Sequence, residues 1–94
     1  MLEVVATPTF ARAIKKLHAQ DKHIVDKAIK ALADNPGLGV EKKGDLATVF
    51  EHKFKLNKQE ILLAYRLLPD KYRPTRLVLL ALGAHENFYA GLKR

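Results

Sequence analysis

Apolar positions recur along this chain with two different periods, and the change of period divides it into a helical and a sheet-forming part. Residues 2–6, Leu-Glu-Val-Val-Ala, are short and β-branched at the centre and read as a first strand. Thr7-Pro8 then signals a helix start, with Thr as N-cap and Pro at the first helical position, where its missing N–H is no loss. Phe10, Ile14 and Leu17 fall at i, i+4 and i+7, with Arg12, Lys15 and Lys16 off the stripe, so an amphipathic helix is expected over residues 8–19. Asp21 reads as the N-cap of a second helix. Its stripe is Ile24, Val25, Ala28, Ile29 and Leu32, and it runs to Ala33. Asn35-Pro36-Gly37 stops it. The short connection makes the two helices an antiparallel hairpin. Residues 35–45, rich in Gly and charge, read as a loop.

From Thr48 the period is two. Phe50, Phe54 and Leu56 alternate with Glu51, Lys53 and Lys55, the pattern of a half-buried strand with one basic face. Asn57-Lys58-Gln59 is a hairpin turn. Ile61 to Leu68 is a nearly continuous apolar run and therefore a central strand, with Ile61, Leu63, Tyr65 and Leu67 as its core set. A loop, Pro69 to Pro74, leads to a third apolar strand, Arg76 to Leu82, and residues 85–93 read as a short terminal helix. The order βααβββα describes an α+β domain: two N-terminal helices packed on a small, mainly antiparallel four-stranded sheet. At 94 residues the chain is a single domain, residues 1–94, without internal repeats.

Charge adds a direction. The formal net charge is +7. Residues 1–45 carry eight Lys/Arg and six Asp/Glu, and residues 46–94 carry nine and four, so the excess is +2 in the first part and +5 in the second. A basic half suits a polyanion partner, either nucleic acid or an acidic protein segment. The plainer alternative is a solvated lysine surface. The absence of cysteine excludes disulfides and thiolate metal sites. No apolar stretch is long enough for a membrane span and the first residues do not form a signal peptide, so a cytoplasmic protein is expected. The four histidines are scattered, no carboxylate cluster has ligand spacing, and no metal or other cofactor is expected.

Candidate chemistry gathers on one face of the sheet. Lys53 and Lys55 point the same way, about 7 Å apart along their strand. Lysines there also protect an edge against aggregation. Arg66 and Glu60 share a parity in the next strand, and an arginine in an apolar strand needs water or a partner, so that face is expected to be open and wet. His85 follows the glycine that ends the last strand, and Tyr89 sits four residues on, at helical spacing. His18 and His23 flank the helix turn and should be solvated, and His52 should be a partly buried edge residue. Metal-free acid–base work on a phosphodiester is the chemistry these residue types support. RNA supplies its own 2′-OH nucleophile, a base takes its proton, an acid protonates the leaving 5′-oxygen, and cations hold the phosphate.

These segments resemble a known family, the RelE/ParE superfamily of type II toxin–antitoxin toxins. The resemblance covers the element order of the whole chain. Its sharper matches are His52-Lys53-Phe54-Lys55-Leu56, Leu62-Leu63-Ala64-Tyr65, and Leu82-Gly83-Ala84-His85 followed by Tyr89. Lys53 and Lys55 match active-site lysines of RelE-type ribosome-dependent mRNA endonucleases. RelE- and YoeB-type enzymes carry an arginine three residues before the strand tyrosine, where this chain has Leu62. The YafQ branch is closer. It has an apolar residue at that position, a Gly-Ser-His ending whose catalytic histidine matches His85, an aromatic matching Tyr89 and an acidic residue matching Glu60. The resemblance implies an mRNA-cleaving toxin with catalytic His85, Tyr89, Lys55 and Glu60, and with Lys53, Arg66, Arg73 and Arg76 holding RNA. It implies as partners an antitoxin whose tail covers the basic face, the ribosome and its mRNA, and operator DNA only through the antitoxin. The ParE branch shares the fold but poisons DNA gyrase and lacks the nuclease set, which is the alternative reading.

Overall fold

A computed structural model describes residues 2–42 and 49–84. The elements, in chain order, are β1 (Glu3–Ala6), α1 (Pro8–Lys15), α2 (Ala19–Asp34), a 3-10 turn (Pro36–Leu38), β2 (Val40–Glu41), β3 (Phe50–Leu56), β4 (Gln59–Leu68) and β5 (Arg76–Gly83). They make one five-stranded sheet in the order β1-β5-β4-β3-β2. β1 runs parallel to β5, and the other pairs are antiparallel. The α+β architecture is the expected one, with one strand more than expected. The added strand is β2, two residues taken from the 35–45 segment read as loop. The terminal helix expected over 85–93 lies outside the described residues.

Both helices cover one face of the sheet. Phe10, Val25 and Leu32 meet Phe50, Leu63, Tyr65, Leu67, Leu77 and Leu79, with Ile14, Leu17, Ile29 and Phe54 packed around them. Full burial of a Phe or Leu contributes about 1.5–3 kcal/mol each, so this cluster is the main source of stability. Thr7 caps α1 as its position in the sequence predicts, accepting from the Phe10 N–H at 3.3 Å. Its hydroxyl also stands 3.0 Å from the carbonyl oxygens of Leu79 and Leu80, either of which can take its single proton. That contact matters because β5 is irregular there. Ala64 pairs with Ala81 and Tyr65 with Leu79, leaving Leu80 as an extra residue. The bulge flips the parity of β5. Leu77 and Leu79 face the helices before it, and Leu82 does after it.

The helix boundaries differ from expectation. α1 ends at Lys15, and His18, not Asp21, occupies the N-cap of α2. Asp21 lies inside the first turn of α2, buried, and accepts two hydrogen bonds from the Asn57 side chain at 3.3 and 3.4 Å. Its acid sits where the helix dipole favours one, but its partner is the β3–β4 turn. That turn is a two-residue hairpin. Asn57 and Lys58 have φ of 52° and 68°, the left-handed pair that matches the twist of the strands.

Candidate active site on the sheet face away from the helices

Residues paired across neighbouring strands share a face, so the register gives the layout of the side opposite the helices. Lys55 stands across from Glu60 at the hairpin end. The next row is Lys53, Leu62 and Gly83. The row after that is Val40, Glu51, Ala64 and Ala81. Arg66 lies beyond, opposite Val78, and Arg76 lies further on, opposite Leu68. Lys53, Lys55 and Glu60 are therefore together, and Arg66 is separated from Glu60 by six residues of strand, about 20 Å.

The same rows place the end of β5. Gly83 is two strands from Lys53, about 10 Å at ordinary strand spacing. The strand that leads toward His85 in sequence thus finishes at the hairpin end, beside the two lysines. His85 and Tyr89 themselves lie outside the described residues.

The arginines are distributed differently. Arg76 lies next to β1, with its Nε donating to Glu3 at 2.8 Å and the side chain half exposed. Arg73 belongs to the β4–β5 loop, where its backbone N–H donates to the Asp70 carboxylate at 3.0 Å. Arg66 lines a cavity of about 250 Å³ with Phe50, Leu68, Asp70 and Lys71. Beside it, Lys71 donates to Glu41 at 2.8 Å, and that carboxylate raises the lysine pKa above its ordinary value. All three arginines lie toward the β4–β5 loop end of the sheet, away from Lys53 and Lys55.

This face is not wholly wet, contrary to expectation. Leu62, Ala64 and Ala81 are buried in a second apolar cluster, joined by Val49 and Leu80. Leu62 faces the Lys53 row without any exposure. Glu51 is buried among these residues. Its side chain is 7% exposed and lies 3.9 Å from the Lys53 ammonium and 3.8 Å from that of Lys42. The sequence pattern groups Glu51 with Lys53 and Lys55 on one face of β3. The alternation does place it on this face, but burial depends on the strands either side, which no local pattern reveals.

The aromatic residues on the helix side are structural. Tyr65 is fully buried and stacks on Phe50 with ring centroids 5.4 Å apart. Its hydroxyl donates to the Pro36 carbonyl at 2.7 Å and accepts from the Gly39 N–H at 3.0 Å. Burial raises its pKa, and the Gly39 hydrogen bond partly opposes that. A phenol so held is a clamp for the 36–39 turn. His52 is half-buried against Phe54, and burial lowers its pKa. His18 and His23 are exposed. Among the described residues, no three His, Asp or Glu side chains are grouped as metal ligands, and no helix is long and apolar enough to cross a membrane.

The family model of the ParE-like toxin of type II bacterial toxin–antitoxin systems matches residues 4–93. The chain belongs to that family. It is a type II toxin, of the RelE/ParE superfamily that its segments resemble. Solved structures support the fold of the toxin. The intact E. coli RelBE toxin–antitoxin complex contains a chain that is 14% identical, with a TM-score of 0.70 over 92% of the toxin and 99% of that chain. The Mycobacterium tuberculosis RelBE2 complex matches at 23% identity and TM-score 0.71, covering 89% and 98%. The isolated E. coli RelE toxin matches at 14% and 0.68, covering 92% and 86%. No curated protein sequence matches the toxin significantly.

Proposed function

We propose that this toxin is a ribosome-dependent mRNA endonuclease that acts in the cytoplasm and is held in check by a cognate antitoxin. The observation that carries the reading is the row Lys53–Leu62–Gly83, which sets Lys53, with Lys55 one row on, at the same end of the sheet as the strand end that precedes His85 in sequence. The 2′-OH attacks the adjacent phosphorus and the 5′-oxygen leaves; His85 acts as general base on the first or as general acid on the second, and water takes or supplies the other proton. Lys53 and Lys55 hold the crowded phosphate, and Glu60, across from Lys55, orients it. Tyr89 positions the nucleotide, by contact or stacking. Arg66, Arg73 and Arg76 hold flanking phosphates. The substrate brings its own nucleophile, so these groups need no metal to complete the step.

The antitoxin follows from the RelBE complexes among the structural relatives. Its tail lies over the basic face and orders on binding, and operator DNA is reached only through it. A second reading, inhibition of DNA gyrase without cleavage, is favoured by the ParE-like description of the family and by the buried Leu62 where RelE-type nucleases carry arginine. Inducing the toxin and mapping transcript 5′ ends separates the two. Codon-phased cuts that disappear with His85→Ala support the nuclease. Intact transcripts, with gyrase supercoiling blocked by the purified protein, support the alternative.

A further inference from the structure

Among the described residues, Glu51 is the buried carboxylate of the far face, and it lies between two cations without a close hydrogen bond to either. Its carboxylate has two ion-pair contacts, Oε1 to Lys53 at 3.9 Å and Oε2 to Lys42 at 3.8 Å, both longer than a hydrogen bond. Oε2 is buried and accepts no hydrogen bond among the described residues. Such a carboxylate stabilises a fold less than a well-packed neutral residue of the same size, because the desolvation cost exceeds the gain from long contacts. The neighbours in its row, Val40, Ala64 and Ala81, are apolar, so nothing in the sheet calls for an acid there.

What the acid does reach is Lys53, to which the nuclease reading gives the phosphate. Lys53 extends from the same strand two residues on, is 54% exposed, and stands in the row that Leu62 and Gly83 continue. A lysine on an exposed strand samples many rotamers, and fixing it before substrate arrives removes that entropy from the reaction. Lys42 approaches from the next strand edge, where its backbone N–H is bound to the Val49 carbonyl at 2.8 Å. One buried carboxylate thus faces two ammonium groups from two strands, at the rim of a concavity of about 390 Å³ lined by Leu38, Val40 and His52.

We infer that Glu51 is a positioning residue: it holds the Lys53 ammonium, with Lys42 on its other oxygen, in the place where the scissile phosphate is bound. The inference rests on the nuclease reading. It predicts a sign that simple electrostatics reverses. Glu51→Gln removes one negative charge, taking the formal net charge from +7 to +8, and charge alone would then tighten the hold on RNA. Loss of positioning instead slows the chemical step.

The test is single-turnover cleavage of ribosome-bound mRNA at saturating full-length toxin, with thermal unfolding measured alongside. Glu51→Gln is expected to cut about tenfold more slowly or worse, with an unfolding midpoint equal to or above that of the unmodified chain. In a Lys53→Ala background the same change is expected to add no further loss, since its effect passes through Lys53. Glu51→Leu, which extends the apolar patch, serves as a second variant and should show the same loss. A Glu51→Gln toxin that cuts as fast as the original, or losses that add to that of Lys53→Ala, overturn the inference alone. Absence of cutting by the unmodified toxin overturns the nuclease reading, and this inference with it.

Discussion

Asn57 donates its side-chain amide to both carboxylate oxygens of Asp21, at 3.3 and 3.4 Å, and so ties the tip of the β3–β4 hairpin to the first turn of α2. The same residue holds a positive φ of 52°. Asn57→Gly keeps the backbone and loses the tie, and should cost about 1–2 kcal/mol. Asn57→Ala loses both and should cost about 1 kcal/mol more. Urea unfolding at neutral pH measures the difference; equal costs would mean that the left-handed backbone contributes nothing.

Gly39 and Tyr65 form a second such pair. A Cβ at Gly39 would fall on the Tyr65 hydroxyl, 2.8 Å from its Cε1 and 3.0 Å from the Glu51 carbonyl oxygen. Gly39→Ala should therefore destabilise by about 1–3 kcal/mol. Tyr65→Phe leaves the Pro36 carbonyl and the Gly39 N–H without their partner and should cost about as much. Because the hydroxyl is the nearest obstacle, the double variant should lose less than the sum of the two, which a double-mutant cycle of unfolding free energies reads directly.

Much of the fold was legible because long periodic segments carry it. The stripe Phe10, Ile14, Leu17 and the core set Leu63, Tyr65, Leu67 pack as their spacing predicts. The failures have physical causes. β2 is two residues long and has no period to read. Asp21 is a good N-cap by composition, yet the tie to Asn57, 36 residues away, and not a cap, is its role. The bulge at Leu80 sits in a continuous apolar run, where a parity flip leaves no trace in the sequence. For the site, alternation put Lys53, Lys55, Glu60 and Arg66 on one face. It could not show that the sheet divides them into two groups, nor that Glu51 is buried between lysines.

His52 makes stability depend on pH. Burial lowers its pKa in the folded chain below the ordinary 6.5. The unfolded chain therefore takes the proton first as pH falls. The stability contributed by the neutral ring is present above about pH 6.5 and is lost as pH drops from there toward the folded value. Urea midpoints of the toxin should decline over that range more steeply than those of His52→Gln. Parallel curves would remove His52 from the account.

Leu62 is fully buried beside Lys53, so restoring the arginine seen in RelE-type relatives should not restore a RelE-type site. Leu62→Arg is expected to destabilise by about 3 kcal/mol or more, from a buried cation and lost packing. Thermal unfolding checks the cost, and induction in cells checks activity. A stable variant with faster cleavage would show that this row tolerates a second cation beside Lys53.

The central claim is that the hairpin end of the far face does the chemistry and the arginine end only holds the polymer. Single-turnover cleavage of ribosome-bound mRNA by Lys53→Ala and Arg66→Ala tests it most directly. The account predicts that Lys53→Ala lowers the rate at saturation by about a hundredfold, while Arg66→Ala keeps that rate and needs more toxin to reach it. Loss of the saturating rate in Arg66→Ala, with Lys53→Ala unimpaired, would contradict it.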